Sequence, residues 1–211
     1  MSDGAHLSWH TPDDEQVAEA KDALRREVRA RRGHVSPRCR DELAQRLAAV
    51  VLTIPQVAAA GCASVYASRP TEPGTGPLLD ALAGRGVRLL LPVLGSGLQR
   101  DWAEYTGPDD LRERAPGRPP EPGGDALGAA ALAQADVVLV PALSVDRAGV
   151  RLGQGGGWYD RVLEHARPDA PLVALLYADE VLDGLLPRSA HDRPVTHVAT
   201  PEGWHAVADA S

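Results

Sequence analysis

The sequence predicts an α/β fold, a single domain whose mostly parallel sheet is flanked by helices. Two observations carry that expectation. Apolar, strand-like runs at 61–67, 87–91, 137–140, 172–177 and 195–199 alternate with stretches of helical periodicity, the pattern of βαβ units. The 211 residues suffice for one sheet and its covering helices. Folds of this class bind ligands at the carboxyl ends of their strands.

Each element has a local reason. Thr11-Pro12 before Asp13, Asp14 and Glu15 reads as an N-cap, a proline at the first helical position and an acidic first turn. Val17, Leu24 and Val28 continue at helical spacing, and Gly33 ends the helix. Ser36-Pro37 opens a second helix with Leu43, Leu47, Val50 and Val51 as its buried stripe and Pro55 as its end. The strand at 61–67 runs into a Pro-, Gly- and Thr-rich loop, 68–76, that carries Glu72. A helix at 77–83 and the strand at 87–91 follow. Trp102 and Tyr105 lie in a short alternating segment read as an edge strand. Residues 107–124, dense in Pro, Gly and charge, form a long loop expected to be functional or mobile rather than a domain boundary. An Ala-rich helix at 125–134 precedes the strand at 137–140, closed by Pro141.

The richest chemistry lies at 151–161, Arg-Leu-Gly-Gln-Gly-Gly-Gly-Trp-Tyr-Asp-Arg. Glycines 153, 155, 156 and 157 let backbone N–H groups approach a ligand without Cβ interference. A helix start after them offers further N–H groups to an anion, and the flanking arginines suit the same anion. Neither familiar phosphate fingerprint fits. G-x-G-x-x-G from Gly153 needs glycine where Trp158 stands, and the triphosphate loop G-x-x-x-x-G-K-[ST] needs a lysine the region lacks. A second cationic feature lies far upstream. The chain holds 22 Lys and Arg residues, and its single lysine is Lys21. Lys21 and Arg25 are four apart on the first helix, with Arg32 two turns beyond. Like charges so stacked repel slightly, which an anion between them would relieve.

Composition excludes several classes. With 44% hydrophobic and 24% charged residues the chain reads as soluble and globular. Phenylalanine is absent, so Ala, Val and Leu must build the core. A net charge of −7 argues against nucleic acid or an anionic membrane as partner. Cys39 and Cys62 make neither a disulfide framework nor a metal motif. With no signal-peptide pattern and no apolar run of about 18 residues, a cytoplasmic location is expected.

Taken together, these motifs resemble the 5-formyltetrahydrofolate cyclo-ligase family. The resemblance runs from Lys21-x-x-Leu24-Arg25 through the Glu72 loop, Glu121-Pro122 and the 151–161 block to His191-Asp192. It implies an enzyme that uses Mg-ATP to convert 5-formyltetrahydrofolate to 5,10-methenyltetrahydrofolate, ADP and phosphate. Carried over by position, Lys21 and Arg25 match ATP-phosphate contacts, and Lys21 with Arg151 are the expected catalytic cations. Arg151, Leu152, Gly153, Gln154, Gly155, Gly156, Gly157, Trp158 and Tyr159 match the ATP site. Glu72, Gly156, Trp158 and Tyr159 match the folate side, and Asp160 and Asp192 match the magnesium-binding acids; Trp102 is read either as a further substrate contact or as a core tryptophan. Trp158 departs from the family's more usual Tyr, and Pro73 makes the loop after Glu72 stiffer than usual. The resemblance leaves residues 16–211 as the cyclo-ligase domain after an N-terminal extension, 1–15. A monomer acting on small molecules is expected, with neither nucleic acid nor membrane as partner. Two other readings stay open: a sugar-phosphate isomerase or acyl-CoA transferase on a similar sheet, and a non-catalytic nucleotide- or folate-binding homologue.

Overall fold

The computed structural model describes residues 14–94, 100–115, 117–186 and 193–207. In chain order the elements are α1 (Asp14–Gly33), α2 (Pro37–Val51), α3 (Pro55–Ala58), β1 (Cys62–Ser64), α4 (Gly76–Gly84), β2 (Arg88–Val93) and β3 (Asp101–Glu104). The second half adds β4 (Val137–Pro141), β5 (Ser144–Asp146), β6 (Arg151–Leu152), α5 (Trp158–Val162), β7 (Leu172–Leu175), β8 (Val181–Leu182), β9 (His197–Thr200) and β10 (Gly203–Ala206). Among the described residues, the strands form a seven-stranded sheet of order β10-β9-β7-β4-β1-β2-β3 and a three-stranded sheet of order β6-β5-β8. Strands β9, β7, β4, β1 and β2 run parallel, and the edge strands β10 and β3 are antiparallel. The expected α/β class with a mostly parallel sheet is therefore observed, and no described helix is long and apolar enough to cross a membrane.

Strands buried on both faces read as continuous apolar runs, and alternate residues serve opposite cores. Leu89 and Leu91 of β2, Leu139 of β4 and Leu175 of β7 join Leu47 and Val51 of α2 and Leu79 and Leu82 of α4 on one face. Leu90, Val138, Val140 and Ala174 point the other way, where Trp102, Leu132, Val162 and Leu163 cover them. Ser36 caps α2, its hydroxyl accepting from the Cys39 N–H at 3.3 Å. The buried stripe of α2 is Ala44, Leu47, Ala48 and Val51. Pro55 starts α3 instead of merely ending α2, because its fixed φ suits a first helical turn.

Helix α1 packs on the small sheet through Val28, which meets Leu143, Val150, Leu152 and Leu186. Its C-terminal end is held by Arg32, whose Nε and Nη2 donate to the two Glu180 carboxylate oxygens at 2.6 and 2.7 Å. Arg32 Nη2 also donates to the Ala142 carbonyl at 2.7 Å. Both partners are 2% exposed. Burial works against the guanidinium charge, but the hydrogen bond and attraction of Glu180 outweigh it and hold Arg32 above its usual pKa.

Three expected elements differ. The Ala-rich segment is a 3₁₀ turn, Ala129–Gln134, because Gly128 at φ 83° breaks the chain before a regular helix forms. The glycine loop does not follow the long strand directly. β5 and β6 intervene as an antiparallel pair, with Ser144 opposite Leu152 and Val145 opposite Arg151. Third, the last parallel strand is succeeded by β10, whose Gly203-Trp204-His205-Ala206 carries too little apolar signal to announce a strand. Residues 1–13 of the N-terminal extension, with the Thr11-Pro12 cap, and His191-Asp192 lie outside the described residues.

Candidate functional site

The strand order changes direction between β1 and β4, leaving a crevice at their carboxyl ends where such folds hold ligands. A cavity of about 560 Å³ lies there. Tyr66 and Ala67 beyond β1, Pro92 and Leu94 at the end of β2, and Pro141 of β4 form its floor. Lys21 and Arg25 reach it from α1, Glu72 from the loop after β1, and the block 151–160 from β6 and α5. Gly117, Arg118, Pro119 and Pro120 supply a further wall, so the long irregular loop borders the cavity. Segments far apart in sequence thus meet at one site.

The β5–β6 turn aims Arg151. Buried Asp146 accepts the N–H groups of Ala148, Val150 and Leu186 at 2.9, 2.8 and 2.7 Å. Gly149, at φ 76°, lies so close to the next segment that a Cβ there would sit 2.5 Å from the Val195 carbonyl oxygen. Arg151 Nη2 donates to Asp160 Oδ1 at 2.5 Å, and its guanidinium lies 5.7 Å from the centre of the Tyr159 ring. The expected cation and the expected metal ligand are therefore paired in this structure.

Two further cations, both on α1, hold the glycine loop. Arg25 Nε donates to the Gly153 carbonyl at 3.0 Å, and Arg29 Nη2 to the Gln154 carbonyl at 2.8 Å. Gly155 has φ 99°, a backbone conformation that residues with a Cβ rarely adopt. The helix after the loop, α5, is only five residues long. The expected helix-start contribution to anion binding is accordingly small, and side-chain cations with loop N–H groups must carry that role.

Glu72 is 6% exposed yet lines the cavity. Its Oε2 accepts the Arg69 N–H at 2.9 Å, its Oε1 accepts Gln154 Nε2 at 3.0 Å, and its carbonyl accepts the Tyr177 hydroxyl at 3.2 Å. The Arg69 guanidinium also pairs with the carboxylate, Nε lying 3.5 Å from Oε1, so of the about four acceptor sites of a carboxylate roughly one or two remain. Trp158 and Tyr159 stack edge to face at 4.9 Å between their rings. Trp158 Nε1, Tyr159 Oη and Arg151 Nε are buried without a hydrogen-bond partner among the described residues. Such a group costs about 1–3 kcal/mol until a ligand or water satisfies it. Burial pushes the Tyr159 and Tyr66 hydroxyls well above the usual phenol range, so both stay neutral donors.

Trp102 does not line the cavity. It is fully buried, 5.3 Å edge-on from Trp158, and backs that residue instead of meeting a ligand. Arg32, aligned in sequence with Lys21 and Arg25, turns away to Glu180. Glu121 is 1% exposed and holds the wall loop, accepting the Leu94 N–H at 3.1 Å while Arg118 Nη1 donates to the Leu94 carbonyl at 2.7 Å. Asp192 lies outside the described residues, and no cluster of three or more metal-binding side chains occurs among those described. Arg29, Arg69, Arg100 and Arg118 were missed in the sequence. Only Arg29 left a signal there, one helical turn beyond Arg25.

The sequence model of the 5-formyltetrahydrofolate cyclo-ligase family matches residues 17–201. A 5-formyltetrahydrofolate cyclo-ligase of Mycolicibacterium smegmatis is 43% identical over 143 residues, which cover 65% of this chain and 72% of the relative. One from Escherichia coli K12 is 31% identical over 176 residues, 82% of this chain and 96% of the relative. The solved structure of an Aquifex aeolicus 5,10-methenyltetrahydrofolate synthetase aligns with TM-score 0.75 and 26% identity, covering 90% of this chain and 94% of that one.

Proposed function

The chain belongs to the 5-formyltetrahydrofolate cyclo-ligase family, and we propose that it converts 5-formyltetrahydrofolate to 5,10-methenyltetrahydrofolate at the expense of ATP, releasing ADP and phosphate. One observation carries this reading: a single cavity gathers Lys21, Arg25, Arg151 and the glycine loop beside the half-satisfied carboxylate of Glu72. The cations and loop N–H groups suit a triphosphate, and the open acceptor sites of Glu72 suit the N–H edge of a pterin. We read the protein as acting in the cytoplasm on small molecules.

A formamide oxygen is a poor leaving group and must be activated before the ring closes. In the proposed sequence that oxygen attacks the γ-phosphorus and ADP departs. N10 then attacks the formyl carbon, the carbon–oxygen bond breaks, phosphate leaves with the oxygen, and N10 loses its proton. Phosphoryl transfer needs positioning and charge neutralisation above all. Lys21 and Arg151 supply cations where charge accumulates, and the loop supplies fixed N–H donors. Trp158 and Tyr159 give the junction of the two substrates an apolar wall.

Magnesium would be held by Asp160 and Asp192 together with water and phosphate oxygens, the sparse oxygen set that this ion favours. Asp160 fits: its side chain is 39% exposed, on the cavity, and needs only to release Arg151. When bound, the ion would add charge neutralisation on the phosphates.

Substrate carrying heavy oxygen in its formyl group tests the route. Labelled inorganic phosphate, one label per turnover, is expected by mass spectrometry. Turnover with unlabelled phosphate would defeat formyl phosphorylation, and folate-independent ATP hydrolysis would defeat the assignment.

A further inference from the structure

Gln154 sits between two glycines of the loop and bridges Arg29 of α1 to Glu72 on the cavity wall. Arg29 Nη2 and Nε donate to its side-chain oxygen at 3.1 and 3.3 Å, while its Nε2 donates to Glu72 Oε1 at 3.0 Å. The order of these contacts is fixed by chemistry. A guanidinium only donates and a carboxylate only accepts, so the amide oxygen must face Arg29 and the amide nitrogen must face Glu72. A neutral group that accepts at one end and donates at the other is the only kind that bridges them. Arg29 is thereby connected to Glu72 without neutralising it.

The geometry points to Gln154 as a positioning residue that couples nucleotide binding to folate binding. The inference rests on the functional reading above. The loop that carries Gln154 is the proposed phosphate cradle, and Arg25 and Arg29 already grip its carbonyls. An anion bound by Lys21, Arg25 and the loop N–H groups would fix the backbone at 153–157. Fixing that backbone fixes the amide, and the amide holds the carboxylate in its accepting orientation. The main chain of Glu72 has a separate support in the Tyr177 hydroxyl, whose residue is in turn tied to Glu180. Loss of the amide would therefore leave Glu72 in place, still held by the Arg69 N–H at Oε2 and the Arg69 guanidinium 3.5 Å from Oε1, but without its tie to the loop. Because coupling free energy is reciprocal, each substrate must raise the affinity of the other by the same factor.

The test is titration calorimetry on the full chain with 5-formyltetrahydrofolate and a non-hydrolysable β,γ-imido analogue of ATP with magnesium. In the wild type, folate affinity with nucleotide present should rise roughly tenfold, and nucleotide affinity with folate present by the same factor. Gln154→Leu should reduce both factors to within about twofold of unity, a ratio that a general loss of stability does not move. Gln154→His, which keeps one donor and one acceptor, should retain more coupling than Leu. Arg29→Met should lower coupling in the same direction and carries the test should the Leu variant fail to fold. Undiminished coupling in Gln154→Leu overturns the inference, as does wild-type binding of both ligands without coupling. If the wild type binds neither ligand, the enzymatic reading falls and the inference with it.

Discussion

Arg151 and Asp160 face each other across the glycine loop, with Nη2 2.5 Å from Oδ1 and the arginine side chain only 4% exposed. The residue proposed to hold magnesium thus also neutralises a buried cation, and its two roles separate by substitution. Asp160→Asn keeps an oxygen for Arg151 and should cost less than about 1 kcal/mol of stability, since the carboxylate is partly solvated. Asp160→Ala removes the acceptor and should cost about 1–3 kcal/mol. Turnover should fall in both, and the magnesium requirement should rise in the Asn variant. Thermal melts with magnesium titrations of activity check this, and a large stability loss in Asp160→Asn would make the carboxylate chiefly structural.

Lys21→Ala should weaken ATP use by one to two decades, the equivalent of losing a charged hydrogen bond of about 1.5–3 kcal/mol. The fold should survive, because Lys21 lies on the cavity face of α1 and outside the Val28 cluster that docks the helix. Lys21→Arg preserves charge but replaces a point charge with a planar fork, and should recover only part of the loss. Wild-type ATP kinetics in the Ala variant would remove Lys21 from the site.

Glu180→Ala should destabilise the protein by about 3–5 kcal/mol, because it strands the buried Arg32 guanidinium. The same change frees the end of the helix that carries Lys21, Arg25 and Arg29. Denaturant unfolding should report the loss, and activity should fall even where the protein remains folded. A melting curve like that of the wild type would show that the pair does not anchor α1.

His197 is buried on β9, and burial, aided by the nearby His205 charge, holds its pKa below the usual value. The unfolded chain therefore binds the proton more readily than the folded one. The His197 contribution to stability is complete above the ordinary histidine pKa of about 6.5 and is lost as pH falls through that value toward the folded pKa. Stability should decline with acidification by at most about 1.4 kcal/mol per pH unit from this group. His197→Gln should flatten the slope between pH 7 and 5 in urea unfolding, and an unchanged slope would place the titration elsewhere.

The sequence by itself determined the class of the fold and many of the residues that line the cavity. Apolar runs such as 137–140 and 172–175 had to be strands buried on both faces, since residues like Val138 and Leu139 are alternately needed by two cores. The glycines at 153–157, Arg151 and the lone Lys21 were legible because their chemistry is written in residue type and local spacing. Tertiary structure alone decided which of them meet. Arg32 keeps helical spacing with Arg25, yet the buried carboxylate of Glu180, 148 residues away, captures it. Trp102 carries the right chemistry for a substrate contact, but strand pairing at the sheet edge buries it behind Trp158. Gln154 looks like a spacer among glycines until folding sets Arg29 on one side and Glu72 on the other. Local sequence fixes torsions and surface chemistry, whereas the partner of a side chain is chosen by which distant backbone segments the core brings within a few ångströms.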